Sequence, residues 1–118
     1  MIERLSKKGL QSLVAGNVKE DITCVIKFYS NTCHYCHALR RDYMEIAEAN
    51  DDIVFYAFNI DDYPDIQRVM NFRGVPTISL LRMGDYGPKI RVISDPNLPN
   101  PQTYYTKDQI QDFIEKEK

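Results

Sequence analysis

Several features that mark other classes of protein are missing from this chain of 118 residues, which contains no tryptophan. Cysteine occurs three times, a poor count for a scaffold of structural disulfides. No stretch is long and apolar enough to span a bilayer. The first residues contain no hydrophobic segment of the kind that a signal peptide has. From these absences we expect a cytoplasmic protein that does not contact a membrane. In the cytoplasm, paired cysteines are more often catalytic or metal-binding than structural.

The charge balance argues against a nucleic-acid-binding protein. The formal net charge is -2, and acidic and basic residues are interspersed, whereas nucleic-acid-binding domains carry a basic patch or stripe. The hydrophobic content of 43% fits one ordinary core. We expect residues 1–118 to form a single domain that is monomeric and does not bind nucleic acid directly.

The chemistry is concentrated in Cys33-His34-Tyr35-Cys36, between a hydrophobic run at 22–29 and a helical pattern at 38–49. A helix N-terminus carries unpaired N–H groups and about half a positive charge, and a thiolate placed there is stabilised. Cys36 falls on the apolar stripe of the helix, so we predict that it points inward and that Cys33 is exposed. That asymmetry suits a division of labour in which Cys33 attacks a disulfide and Cys36 resolves the mixed disulfide.

Hydrophobic periodicity over the rest of the chain predicts alternating strands and helices. Strands are predicted at 22–29, 53–58, 77–81 and 89–93. Helices are predicted after Ser6, at 38–49, from 61 to 74, and after a capping box at Thr106 to Gln109. In the helix from 61 to 74, we expect Ile66, Val69 and Met70 to be buried. The first strand, the helix after it and the second strand form a right-handed βαβ unit, and the last two strands form a hairpin. The sequence thus predicts an α/β protein with a central mixed sheet flanked by helices. An additional edge strand at 1–5 is left open.

This order of elements resembles the thioredoxin family. Phe58-Asn59-Ile60-Asp61 is similar to the exit of the family's second parallel strand, and Arg73-Gly74-Val75-Pro76-Thr77 is similar to its loop before an antiparallel strand. The resemblance covers about residues 22–93, with the C-terminal helix in outline. It implies the thioredoxin fold, with a parallel βαβ half and an antiparallel hairpin half.

The resemblance also implies an activity and the residues that perform it. It implies thiol–disulfide exchange, with Cys33 as the nucleophile and Cys36 as the resolving thiol in a redox-active disulfide. Pro76 would be a cis-proline facing the pair, and Thr32, Gly74, Val75 and Pro76 would contact the substrate.

Partners and cofactors follow from the same resemblance. The substrates would be disulfide-bearing proteins, and the protein would carry electrons to them without a bound cofactor or metal. Reducing equivalents would come from a thioredoxin reductase with NADPH, or from glutathione.

Around the cysteine pair the sequence departs from the usual family pattern. His34-Tyr35 stands where Gly-Pro is usual, and Thr32 stands where Trp is usual. A protonated His34 beside a thiolate would stabilise the reduced form, and Tyr35 would add contact surface. Residues 95–102 look like an insertion, either a variable surface loop or a partner contact.

Lys27 is the departure with the most chemical consequence. It stands where the family usually buries an aspartate, and Ala57 replaces that aspartate's usual lysine partner. An ammonium under the pair would favour a Cys36 thiolate, and a neutral amine could act as a base. We therefore expect Lys27, His34 and Tyr35 to tune the pair toward a more oxidising couple than ordinary thioredoxin. The alternative is that Lys27 extends its head to the sheet edge.

Other interpretations of the cysteines and of the fold stay open at this stage. Cys33 to His37 also fits the C-x-x-C-H haem-attachment motif, and the two cysteines and two histidines could bind zinc, although no second ligand pair exists elsewhere. A glutaredoxin, an oxidase or isomerase, and a non-catalytic binding subunit are the functional alternatives. Cys24 is expected to be a small core residue.

Overall fold

The computed structural model describes residues 1–118 as a five-stranded sheet with helices on both faces. In chain order the elements are β1 (Ile2–Arg4), α1 (Lys7–Val14), β2 (Thr23–Tyr29), α2 (His34–Ala49), β3 (Val54–Asn59), a 3-10 turn (Ile60–Asp62), α3 (Ile66–Val69), β4 (Thr77–Arg82), β5 (Lys89–Val92) and α4 (Lys107–Glu117). The strands and the helices α1, α2 and α4 lie where the periodicity predicts them.

The sheet has the strand order β1-β3-β2-β4-β5. Strands β1 and β2 both run parallel to β3, and β4 runs antiparallel to β2 and β5. The predicted mixed sheet, with a parallel βαβ half and a hairpin half, is therefore confirmed. The segment at 1–5 does add an edge strand, which pairs with β3.

Side chains alternate along the central strand β2 and so build two separate cores. Val25 faces α2 and α4, and packs in a cluster with Leu39, Tyr43, Ile46, Phe55, Ile78, Leu80, Ile110 and Ile114. Cys24, Ile26 and Phe28 face α1 and α3, and pack with Leu10, Leu13, Phe58, Ile66, Met70 and Leu81. Burial raises the pKa of the Cys24 thiol to about 11, as expected of a core residue. By the same alternation, Lys27 lies on the α2 face of the sheet.

The helix predicted from 61 to 74 is the clearest error of the sequence analysis. Only Ile66–Val69 is α-helical, and it follows the separate 3-10 turn. The Asn59 side chain accepts a hydrogen bond from the Asp61 N–H at 3.0 Å, which caps the 3-10 turn, and the turn ends at Tyr63, just before Pro64. Val69, predicted to be buried, is 49% exposed, whereas Ile66 and Met70 are buried.

A tight turn that contains a cis-proline connects the last two strands. Residues 83–88, between the two strands of the predicted hairpin, join β4 to β5, and the Gly87–Pro88 peptide bond is cis. A Cβ atom at Gly87 would lie 2.7 Å from the Arg82 carbonyl oxygen, so a larger residue does not fit this turn.

None of the helices combines the length and the apolar composition needed to cross a bilayer.

Candidate functional site

The cysteine pair lies at the start of α2, just beyond the carboxyl end of the central strand β2. Cys33 is the N-cap residue, and its Sγ atom accepts a hydrogen bond from the Cys36 N–H at 3.1 Å. The two residues form a disulfide with a Cα–Cα distance of 5.3 Å. One sulfur atom thus caps the helix and takes part in the redox pair.

Neither of the two residues before the pair caps the helix, although Asn and Thr are common N-cap residues. Asn31 makes other contacts. Its side-chain oxygen accepts a hydrogen bond from Asn59 Nδ2 at 3.3 Å, and its carbonyl oxygen lies 3.0 Å from His37 Nε2. Thr32 is exposed immediately before the pair.

The two cysteines differ in exposure as predicted. Cys36 is 2% exposed, whereas Cys33 is only partly buried. Cys36 lies on the buried stripe of α2 with Leu39 and Tyr43. An incoming disulfide can therefore reach Cys33 and not Cys36.

The loop before β4 lies opposite the pair. Cys33 Sγ is 3.7 Å from the Val75 carbonyl oxygen, and the Val75–Pro76 peptide bond is cis. Two hydrogen bonds fix this loop: the Gly74 N–H donates to Gln67 Oε1 at 2.7 Å, and Thr77 Oγ1 donates to the Gly74 carbonyl at 2.8 Å. Gly74 has φ of +76°, a conformation that favours glycine. The structure therefore brings Val75 to the cysteine pair, with Gly74 and Pro76 on either side of it in the same loop.

Gln67 is a positioning residue that the sequence analysis missed. The helix expected across 61–74 would have placed it on a continuous solvent face. Because the helix stops after Val69, the Gln67 side chain reaches the Gly74 backbone instead.

Lys27 lies inside the molecule and not at a sheet edge. It is 5% exposed, on the central strand, where its backbone pairs with Ala57 on one side and Ile78 on the other. It lines a cleft of about 540 Å³ together with Cys36. Its Nζ atom lies 5.3 Å from the centroid of the Tyr43 ring. Burial, and then the nearby positive charge of Arg40, lower the pKa of Lys27 to about 8.

An aromatic cluster flanks the pair on another side. The His34 and Tyr35 rings lie 4.2 Å apart, and the Tyr35 and Tyr104 rings lie 5.8 Å apart, measured between centroids. Tyr104 has φ of +66°, and its hydroxyl donates to Asp95 Oδ1 at 3.1 Å. The chain after the 95–102 loop thus returns to the active-site motif.

Sequence reasoning missed Tyr104. The only available signal was the adjacent pair of tyrosines after a loop with three prolines, and that signal does not identify the residue against which the ring packs.

No group of three or more His, Cys, Asp or Glu side chains is gathered where it could hold a metal ion. The two histidines instead contact Tyr35 and Asn31.

A disulfide-forming cysteine pair at the N-terminus of a helix that leaves the central strand of a mixed sheet defines the class of thioredoxin-fold redox proteins. The family model described as Thioredoxin matches residues 3–116, nearly the whole chain. The protein therefore belongs to the thioredoxin family.

Curated relatives agree with this assignment at low identity. The chain is 30% identical over 57 residues to Thioredoxin AMT13 of Alternaria alternata, a match of 48% of this chain and 48% of that protein. It is 28% identical over 79 residues to the chloroplastic Thioredoxin-like protein CITRX of Oryza sativa subsp. indica, covering 66% of this chain and 41% of that protein. The matches thus span less than half the length of these relatives.

Solved structures show the same fold. A crystal structure of chloroplastic thioredoxin z superposes with a TM-score of 0.69 at 22% identity, over 98% of this chain and 92% of that one. The J-Trx1 fragment of ERdj5 superposes with a TM-score of 0.68 at 19% identity, over 98% of this chain and 49% of that one. At such identities the likeness concerns the fold.

Proposed function

We propose that this protein is a thiol–disulfide oxidoreductase that reduces disulfide bonds in other proteins. The observation that carries the proposal is the asymmetric pair at the start of α2, in which Cys33 is accessible and Cys36 is buried. An accessible sulfur can attack a protein substrate, and a buried neighbour is protected from external disulfides until the first bond has formed.

The reaction proceeds in two exchanges. In the reduced protein, the Cys33 thiolate attacks one sulfur of the substrate disulfide, and the other substrate sulfur leaves as a thiolate that takes up a proton. The Cys36 thiolate then attacks Cys33 Sγ, which breaks the mixed disulfide and releases the second substrate thiol. Two electrons pass from the dithiol to the substrate, and the Cys33–Cys36 disulfide is the product.

Lys27 supports the second exchange. The Cys36 thiol must lose its proton to attack, and the pKa of Lys27, about 8, lies close to the ordinary thiol value of about 8.5. A neutral Lys27 can accept the proton, and the resulting ammonium stabilises thiolate in the same cleft. Lys27 would therefore act as the base that takes the proton from the Cys36 thiol.

The Val75 backbone supports substrate binding. Neither its N–H nor its carbonyl oxygen takes part in a hydrogen bond with another backbone group, and the carbonyl lies beside Cys33 Sγ. An extended substrate segment could pair with it as an added strand. Thr32 and Tyr35 would border such a segment.

The partners follow from the chemistry and remain part of the proposal. The oxidised pair needs two electrons after each turnover, which a thioredoxin reductase with NADPH or the glutathione pool would supply. A cytoplasmic location and a monomeric state stay predictions.

One observation favours a second candidate, net oxidation of substrate dithiols. The cleft beneath the pair carries Lys27, Arg40 and Arg41, and positive charge beside Cys36 stabilises the reduced dithiol. A stabilised reduced form makes the disulfide a stronger oxidant.

Reduction of insulin by dithiothreitol tests the main proposal. We expect the wild-type protein to accelerate insulin precipitation and Cys33→Ser to give only the background rate. Cys36→Ser should retain attack and accumulate a mixed disulfide with the substrate, visible as a covalent adduct on a non-reducing gel. Cys24→Ala, which removes the remaining thiol and keeps the pair, is the matched control and should retain activity.

The opposite result has a clear meaning. If the folded wild-type protein does not exceed the background rate, the protein is not a general disulfide reductase. A binding subunit would then retain partner binding when both Cys33 and Cys36 are replaced by Ser.

A further inference from the structure

The cleft beneath the cysteine pair has charges of only one sign. Among the residues that line it, Lys27, His37, Arg40 and Arg41 are basic, and none is an aspartate or a glutamate. The chain as a whole has more acidic than basic residues, so the bias belongs to this cleft and not to the composition.

These basic groups have no acidic partners within the protein. The four ion pairs of the structure involve Arg68, Arg91, Lys107 and Lys118. Lys27 is the decisive member because it is 5% exposed and its Nζ atom takes part in none of these ion pairs. A partly desolvated ammonium without a counter-charge is costly, and burial accordingly lowers the pKa of Lys27. An anion beside it would recover that cost.

The geometry explains why the basic groups converge. His37, Arg40, Arg41 and Met44 follow Cys36 at helical spacing and share one face of α2. That face lies over the sheet where Lys27 pairs with a residue as small as Ala57, which leaves room between helix and sheet.

The floor of the cleft is apolar. Ile2, Tyr43, Met44 and Ala57 line it beside the basic groups, and Met44 is 48% exposed. The volume of about 540 Å³ lies within the range of small-molecule sites. A ligand that matches both parts of the lining carries an anionic group and a short apolar body.

We propose that this cleft binds a small organic carboxylate, with the carboxylate between Lys27 and Arg40 and the apolar body against Met44 and Tyr43. A carboxylate matches the planar fork of an arginine and accepts a further charge-assisted hydrogen bond from a lysine. The site goes beyond disulfide exchange, because binding requires no redox step and is measured on the oxidised protein.

Titration with hexanoate, followed by amide chemical shifts in NMR spectra of the oxidised protein, tests the proposal; with no tryptophan in the chain, intrinsic fluorescence is a weak probe. We expect saturable shifts at 27–30 and 36–44. The uncharged 1-hexanol and inorganic phosphate should each bind at least about tenfold more weakly, because each satisfies only half of the lining.

Two variants locate the carboxylate. Lys27→Met keeps the side-chain length and removes the charge, and Arg40→Gln changes an exposed residue whose replacement leaves the core intact. Each should weaken hexanoate binding about tenfold. Lys116→Met, an exposed lysine on α4 outside the cleft, is the control and should bind as the wild type does.

Several outcomes would overturn the proposal. Equal binding of hexanoate and 1-hexanol would show an apolar groove only, and equal binding of hexanoate and phosphate would show non-selective anion attraction. Binding of a short glutamate-rich peptide without any binding of hexanoate would assign the cleft to a protein partner. Unchanged affinity in both cleft variants would place the ligand elsewhere.

Discussion

Replacing Lys27 by Met should stabilise the oxidised protein at neutral pH. The pKa of Lys27 falls from 10.5 to about 8 on folding, chiefly through burial. Since one pKa unit corresponds to about 1.4 kcal/mol, folding with the lysine protonated costs about 3 kcal/mol. Met removes this cost and retains an apolar chain of similar length. It also removes the contact with the Tyr43 ring, worth roughly 0.5–1 kcal/mol, so a net gain of about 2 kcal/mol is expected at pH 7.

The pH dependence is the sharper part of this prediction. The unfolded chain binds the Lys27 proton more tightly than the folded chain, so the cost is complete below pH 8 and disappears as the pH rises toward 10.5. Between pH 7 and about pH 9 the wild-type protein should gain about 1 kcal/mol in unfolding free energy relative to Lys27→Met.

Urea unfolding followed by far-ultraviolet circular dichroism measures both effects, with the disulfide kept oxidised. Lys116→Met controls for the loss of a surface charge and should differ from the wild type by the same amount at both pH values. If Lys27→Met is less stable than the wild type at neutral pH, or if the difference between them does not change with pH, Lys27 is not desolvated and the reasoning fails.

Three further predictions concern the potential, the aromatic cluster and α4. In glutathione redox buffers, the redox potential of the wild-type protein should be higher than the value of about -270 mV for thioredoxin. The potential of Lys27→Met should be about 30 mV lower than that of the wild type. A wild-type potential at or below about -270 mV would contradict the proposal that positive charge in the cleft stabilises the reduced dithiol. Tyr104→Asn tolerates the positive φ but removes the ring from Tyr35, so urea unfolding should show a loss of about 0.5–1.5 kcal/mol, and insulin reduction should slow; unchanged activity would remove Tyr104 from the site. Thr106→Ala breaks the capping box with Gln109 and should cost about 1 kcal/mol, whereas Thr106→Ser should not.

The parts of the fold that sequence predicts well are those fixed by local pattern and burial together. The run at 22–29 is apolar because β2 is the central strand, with neighbours on both sides and cores on both faces. The buried stripe of α2 recurs at helical spacing, and the capping box of α4 is a local sequence signal for a helix start. In these segments the local preference and the tertiary environment favour the same structure.

The errors occur where two local signals compete. Asp61, Asp62 and Pro64 each favour a helix start. The Asn59 side chain, however, accepts a hydrogen bond from the Asp61 N–H and caps a 3-10 turn at this point. The cap of α2 is similar, because Asn31 and Thr32 have better capping propensities than Cys33 and yet the sulfur occupies the position. Propensity ranks the candidates, and the path of the chain decides among them.

The side-chain environment of the site depends on distant pairings that no local pattern contains. That Lys27 lies against Ala57 follows from the β2–β3 register, and its burial follows from α2 covering that face. That Tyr104 packs on Tyr35 follows from the course of the 95–102 loop. Both residues are visible in the sequence, but their neighbours are not.

The double use of the Cys33 sulfur has a practical consequence for anyone who labels this protein. The atom that reacts is also the one that accepts the Cys36 N–H at the first turn of α2. A bulky alkylating reagent on Cys33 therefore blocks exchange and also disturbs the end of a helix, and the loss of an N-cap costs about 1 kcal/mol. A melting temperature lower for the alkylated protein than for the reduced, unlabelled protein would thus report the loss of the cap, and the labelled protein is an imperfect mimic of the reduced one.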